Sequence, residues 1–266
     1  MYKILKTLIK RILIILLPRT FYNYLPIRIK GPLRVSYLDR NLFLKKRLLW
    51  DQKGFYSIYP MPTKKDLDLY YSSLYWGARS DSKELLNQRD IWHFEFFSQR
   101  YSLGKSGTAI NFGSGHGGIS YLLAAAGWCV INIDPSDNKV AYESRISKLS
   151  DLSEVEPKSV DFFYASHSLE HVTDINEIIS QIYRIAKPGC FVMIEVPNAA
   201  MRVTKNTDLS NGGADGKIRP PHTFYFTKAF FEAQFPDANV MLLSKTDRQL
   251  QPECSASFIF VSGLIE

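Results

Sequence analysis

The chain has 266 residues, 45% hydrophobic and 14% aromatic, enough for one α/β domain with additions and a sizeable core. Its formal charge of +7 is unevenly spread: residues 1–53 hold thirteen Lys or Arg against Asp39 and Asp51, which leaves the remainder net acidic by four. That division excludes a nucleic-acid groove in the main body and points the N-terminus at an anionic surface. Cys129, Cys190 and Cys254 are too few and too scattered for a disulfide framework or a zinc site, and read as free core thiols of a reducing compartment.

The first element is MYKILKTLIKRILIILLP. Leu5, Leu8, Ile9, Ile12, Leu13, Leu16 and Leu17 fall on one helical face and Lys3, Lys6, Lys10 and Arg11 on the other. Its apolar run, Ile12 to Leu17, is far short of the ~20 residues a membrane-spanning helix needs, and no small-residue cleavage site follows Pro18. Residues 1–35 are therefore expected to lie in the plane of an anionic membrane surface, contacting it through residues 1–34, at the inner face of the membrane in the cytoplasm. Packing of this helix on the protein's own body or on a second subunit is the competing reading, and the oligomeric state is left open.

Residues 36–105 read as an aromatic-rich helical cap or lid. Pro60 and Pro62 precede an expected helix from Lys64 to Tyr71, and a second is expected from Leu85 to Tyr101, with Ile91, Trp92, Phe94, Phe96 and Phe97 too apolar to face solvent throughout. Such aromatics either form platforms for a sugar or ring, or fill the edge of the core.

Residues 106–266 carry the chemistry. A strand at Ala109 to Phe112 is followed by a turn containing Gly113, Gly115, Gly117 and Gly118, a small-residue helix to Ala126, and a second strand, Cys129 to Ile133, ending on Asp134. Glycines between strand and helix let backbone approach a ligand, and an acidic residue about 20 positions on suits a ribose diol. Beyond it come a strand at Ser159 to Ala165, the polar cluster Ser166 to His171, and an amphipathic helix from Asp174 to Ala186 stopped by Lys187, Pro188 and Gly189. A buried apolar strand, Cys190 to Val196, follows, then a polar loop at 199–221, a helix over His222 to Phe235, and a terminal hairpin of Val240 to Ser244 with Ser257 to Val261.

The succession NFGSGHGG, GWCVINIDPS, SVDFFYASHSLEHV and IYRIAKPGCFVMIEVPN resembles the class I S-adenosylmethionine-dependent methyltransferases, within them the group with an LEH motif after the fourth strand and a KPGG-like turn before the fifth. PPHTFYFTKAFFEAQF continues the likeness. The YP-x-P, YY and YW segment more loosely resembles lead-in regions of methyltransferases encoded among cell-surface polysaccharide enzymes. The resemblance implies a Rossmann-like α/β fold with a seven-stranded, mostly parallel sheet, flanking helices and an N-terminal helical extension. It further implies S-adenosylmethionine as cofactor, with Gly113, Ser114, Gly115 and Gly117 around the methionine portion, Asp134 on the ribose, Asp151 or Ser150 near the adenine and Ser166 near the reacting methyl.

Asn111 stands where the family usually has Asp, which removes a charge that helps orient the methionine ammonium. The short interval from Asp134 to Glu170 suggests a reduced helix between the second and third strands. His171, His167 and His222 are the candidate bases, since an unperturbed imidazole titrates near working pH. Glu170 and His171 lack a third ligand at readable spacing, so no metal is expected. The functional expectation is O-methylation of a sugar in a cell-surface or lipid-linked glycan. A quinone-like or lipid acceptor is the second reading, and a non-catalytic scaffold that keeps the fold is the third.

Overall fold

The computed structural model describes residues 47–71, 86–100, 106–135, 144–199, 222–244, 249–250 and 256–266. The basic segment expected at residues 1–35, Cys254, and all of the loop expected at 199–221 except Ala199 lie outside the described residues.

Ten strands are described: β1 Arg47–Asp51, β2 Phe55–Tyr59, β3 Thr108–Phe112, β4 Cys129–Ile133, β5 Ile146–Leu149, β6 Val160–Ser166, β7 Ala186–Pro197, β8 Phe224–Phe226, β9 Asn239–Leu243 and β10 Phe258–Ile265. The helices are α1 Lys64–Tyr70, α2 Gln88–Arg100, α3 Gly118–Ala125, α4 Ile175–Ile185 and α5 Lys228–Gln234. Seven strands make the central sheet in the order β5-β4-β3-β6-β7-β10-β9. The first five run parallel, and β10 is antiparallel to both β7 and β9, so the expected terminal hairpin forms as the sheet edge.

Alternation along the buried strands divides the core between two faces. Ile110, Phe163, Val192 and Ile194 meet the apolar side of α4 (Ile175, Ile179, Ile182) and α5 (Phe230, Phe231). On the opposite face Ala109, Phe162, Phe191 and Met193 meet Phe96 and Phe97 of α2 and Ile119 and Leu123 of α3. Phe97 stacks on Phe162 with ring centroids 4.0 Å apart and planes 9° from parallel. Phe96 and Phe97 of α2 thus fill the core, while Trp92 and Phe94 are partly buried against it. Asp174 starts α4 by accepting from the N–H groups of Asn176 and Glu177 at 3.0 and 3.1 Å.

The structure departs from the sequence expectations in four places. Residues 47–59 form an antiparallel hairpin, and with β8 it makes a second, three-stranded sheet, so the cap is not helical alone. Phe224–Phe226 is a strand because it completes that sheet, and the helix expected from His222 begins only at Lys228. Lys187, Pro188 and Gly189 end α4 but lie within β7, which starts at Ala186. Cys129 is exposed, while burial pushes the Cys190 thiol up to about 12.

Phe97 joins α2 to the sheet, so Phe97→Ala should cost about 3–5 kcal/mol, the usual range for a buried Phe. Urea unfolding measures it; an unchanged midpoint would show that α2 is not part of the cooperative core.

Candidate functional site

The chain runs β3 to β4 to β5 outward in one direction, then returns and builds β6 and β7 on the other side of β3. Crevices form beyond the carboxyl ends of strands where the order reverses in this way. A cavity of about 740 Å³ lies there, lined by every residue expected from the sequence: Asn111, Gly113, Ser114, Gly115 and Gly117 after β3; Asp134 after β4; Asp151 after β5; Ser166, His167 and His171 at and after β6; and His222 ahead of β8.

The glycine turn is held from below. Gly113 and Ser114 donate their N–H groups to the Ile133 carbonyl at 2.7 and 3.4 Å, and the Gly115 N–H donates to Asp134 Oδ2 at 2.8 Å. These amides are committed to the protein, so what the glycines offer the cavity is the absence of side chains. Gly113 has φ +70°, and a Cβ there would sit 2.3 Å from the Ser168 side chain.

Asn111 and Asn132 are register partners on β3 and β4. Asn111 Nδ2 donates to Ser120 Oγ at 2.7 Å, and Ser120 Oγ donates to Asn132 Oδ1 at 2.6 Å. All three residues are buried. An Asp at 111 would place a carboxylate against a hydroxyl whose single hydrogen already serves Asn132, so the amide fits this local network.

Asp151 accepts from the Ser153 N–H at 3.0 Å and pairs with Lys64 of α1. Burial pushes its carboxyl up, but the Lys64 ammonium and the Ser153 donors outweigh this and hold it at about 2. The ion pair ties the first helix to the far wall of the cavity.

The opposite wall is a ladder of imidazoles and carboxylates. Glu170, in the turn after β6, and Glu195, within β7, are each 1% exposed. His167 Nδ1 lies 3.3 Å from Glu170 Oε1 and its Nε2 lies 3.3 Å from Glu195 Oε1. His93 of α2 places Nε2 3.4 Å from Glu195 Oε2 and Nδ1 2.8 Å from the Tyr164 hydroxyl. Burial pushes both carboxyls up, yet the flanking histidines prevail and both lie well below the usual range. The His167 imidazole, lowered by burial but facing two carboxylates, is raised on balance. His167 also has φ +54°, a left-handed backbone rarely adopted by a side-chain-bearing residue, fixed by its N–H donating to the Glu195 carbonyl at 2.9 Å.

His171 and His222 complete the corner. The Thr223 N–H donates to the Glu170 carbonyl at 2.8 Å and its hydroxyl to the Val172 carbonyl at 2.6 Å, which pins His222 beside the turn. The His171 and His222 rings lie 4.9 Å apart, and Tyr71 at the end of α1 hydrogen-bonds His171 Nδ1 at 2.9 Å. Glu170, His171 and His222 each bring a ligand-type atom within 4.8 Å of the others. The sequence reading missed His93, Tyr164 and Glu195. The signal for Glu195 was a lone acid in the apolar run CFVMIEVP, and for His93 a lone imidazole in an aromatic helix.

A family model described as a methyltransferase domain matches residues 92–245, more than half of the chain. A curated relative, the ubiquinone biosynthesis O-methyltransferase of Hahella chejuensis, is 28% identical over 137 residues, covering 47% of this chain and 56% of the relative. The chain therefore spans little more than half the length of that relative. Among solved structures, an S-adenosylmethionine-dependent methyltransferase from Mesorhizobium loti aligns with a TM-score of 0.50 at 16% identity, over 66% of this chain and 98% of the other. A Listeria monocytogenes chain assigned to the same activity aligns with a TM-score of 0.50 at 13% identity, over 68% and 100%. At these identities the two structures show a shared fold.

Ser120→Ala removes the link between two buried amides and should cost about 1–3 kcal/mol. Denaturant unfolding reads this directly; full retention of stability would mean that Asn111 and Asn132 are satisfied without Ser120.

Proposed function

The chain belongs to the methyltransferase-domain family, and from that premise we propose that it is an S-adenosylmethionine-dependent enzyme that methylates a hydroxyl oxygen of a glycan acceptor at an anionic membrane surface. The observation that carries the reading is one open cavity bounded by the glycine turn and Asp134 on one side and by the Glu170, His171 and His222 corner on the other.

The residues present fit the cofactor. The buried Ser168 hydroxyl lines the cavity beside the glycine turn and has no hydrogen-bond partner among the described residues, so a polar ligand there would satisfy it. S-adenosylmethionine supplies an electrophilic methyl group on a sulfonium. Gly113, Ser114, Gly115 and Gly117 shape the wall for its methionine portion, with Asn111 beneath them. Asp134, oriented by the Gly115 N–H, would accept from the ribose hydroxyls, with Asp151 and Ser150 toward the adenine and Ser166 toward the reacting centre, all of which line the cavity.

On taking up the methyl group the acceptor hydroxyl would give up its proton, which a neighbouring base can receive. Both ring nitrogens of His167 face carboxylates, which favours the imidazolium form and leaves this ring poorly placed to take a further proton. His171 and His222 are the candidates that remain to receive the proton.

A hydroxyl-rich acceptor is supported by the outer rim, where Asp68, Asn87, Glu177 and Gln181 line the cavity. A quinone-like ring is the second reading, favoured by the likeness to the ubiquinone enzyme and by Leu67, Tyr71 and Ile178 on the same wall. The membrane assignment draws on the basic residues 1–34 and on the hairpin that follows them, where Leu49, Trp50 and Tyr59 are 47%, 50% and 57% exposed. Among the described residues no helix is long and apolar enough to cross a membrane.

Calorimetric titration with S-adenosylmethionine should show Asp134→Ala binding about tenfold to a hundredfold more weakly, the worth of a hydrogen bond to a charged group; equal affinity would remove Asp134 from the ribose site. Radiolabelled methyl transfer should favour activated or lipid-linked sugars over quinone precursors, and the reverse order would select the second reading. Flotation on anionic liposomes should be lost when the chain starts at Val35, whereas equal flotation would contradict the membrane helix.

A further inference from the structure

We infer that Asp90, in the first turn of α2, is the anionic partner of the cofactor's methionine ammonium group and supplies the charge that Asn111 does not. The inference deepens the methyltransferase reading and rests on it for the identity of the ligand.

Beneath the glycine turn the sheet offers no anion. Asn111 spends its amide on Ser120, which continues to Asn132, so these three buried groups are neutral. The Gly113 and Ser114 N–H groups are committed to the Ile133 carbonyl, and the Gly115 N–H to Asp134. S-adenosylmethionine ends in an amino acid, whose ammonium loses water on entering a cavity and needs an acceptor in return, best a carboxylate.

Helix α2 brings a carboxylate to this end. Its buried residues Asp90, His93, Phe96 and Phe97 recur on one face, with Phe96 and Phe97 in the core against the sheet and His93 Nδ1 2.8 Å from the Tyr164 hydroxyl. Tyr164 is the register partner of Asn111 on the neighbouring strand β6. Asp90, one turn before His93 on that face, therefore reaches the cavity beside the ends of β3 and β6, where Asn111, Tyr164 and Asp90 all line it.

Asp90 is 7% exposed, far deeper than an acid that merely favours the start of a helix needs to be. Its own N–H donates to Asn87 Oδ1 at 3.0 Å, which holds the turn. Burial pushes its carboxyl up against the opposing pull of the Arg89 guanidinium and the Asn87 N–H, so a further cation arriving from the cavity would relieve it. Glu170 and Glu195, the deeper acids, already have imidazoles beside their carboxylates.

Calorimetric titration of the full-length chain with two probes tests the assignment: S-adenosylhomocysteine, and the same molecule without its α-amino group. The unaltered chain should bind the first at least about tenfold more tightly, the worth of a hydrogen bond between charged groups. Asp90→Asn keeps an acceptor oxygen in the first turn but removes the charge. It should erase the preference, weakening S-adenosylhomocysteine by a similar factor and leaving the deaminated probe unchanged or tighter, because that probe's carboxylate no longer meets an acid.

Circular dichroism checks that the variant folds, and the comparison of probes on the unaltered chain stands in either case. Equal affinity of the unaltered chain for the two probes, or a preference that survives in Asp90→Asn, overturns the role of Asp90 and leaves the cofactor in place. Weakening of both probes alike marks an acid that only starts α2, and overturns it too. If neither probe binds at millimolar concentration, the cofactor reading falls and this role falls with it.

Discussion

Two buried carboxylates at the carboxyl edge of the sheet govern the arrangement of the cavity. Removing a carboxylate from water costs several kcal/mol unless donors or cations replace the lost hydration. Around Glu170 and Glu195 that replacement comes from His93, His167 and His171, drawn from α2, the end of β6 and the turn beyond it. The requirement explains the left-handed backbone at His167, a conformation costing about 1–3 kcal/mol that persists because its ring must reach both acids. It also couples the cap to the site, because α2 contributes His93 and the end of α1 contributes Tyr71.

The other half of the cavity follows a different rule. Here the turn after β3 spends its amides on Ile133 and Asp134, and a hydrogen-bonded line of Asn111, Ser120 and Asn132 supports it from inside. Asn111 is a departure from the family pattern at a sensitive place, yet it satisfies this line in a way that a carboxylate would not. The glycine-turn end is thus hydrogen-bonded from within, neutral beneath and acidic at Asp134, while the opposite end is charged and dense in imidazole. That division suits the proposed chemistry, in which one end would hold the cofactor and the other would face the acceptor hydroxyl.

Local pattern made much of this readable. The β3, α3 and β4 unit, the 3.6-residue spacing of isoleucines in α4 and the terminal hairpin are encoded by periodicity and turn residues within each segment. β5 was not visible, because ISKL is four residues long and becomes a strand only through pairing with β4. The hairpin at 47–59 and β8 were missed for the same reason, since each completes a sheet with partners far away in sequence. Among site residues, those on the glycine turn and after β4 could be named from spacing. Glu195 was hidden inside an apolar run, and the meeting of His222 with Glu170 and His171 depends on Thr223, a long-range contact that spacing does not encode.

In the proposed reaction the switch-point cavity holds S-adenosylmethionine with its methyl directed toward the histidine corner. A crystal structure of the full chain grown with S-adenosylhomocysteine tests this most directly. Ligand density is expected along Gly113 to Gly117 with the ribose on Asp134 and the sulfur facing His171 and His222. A fully ordered cavity without the ligand at millimolar concentration, or a ligand bound with its sulfur turned away from those histidines, would contradict it.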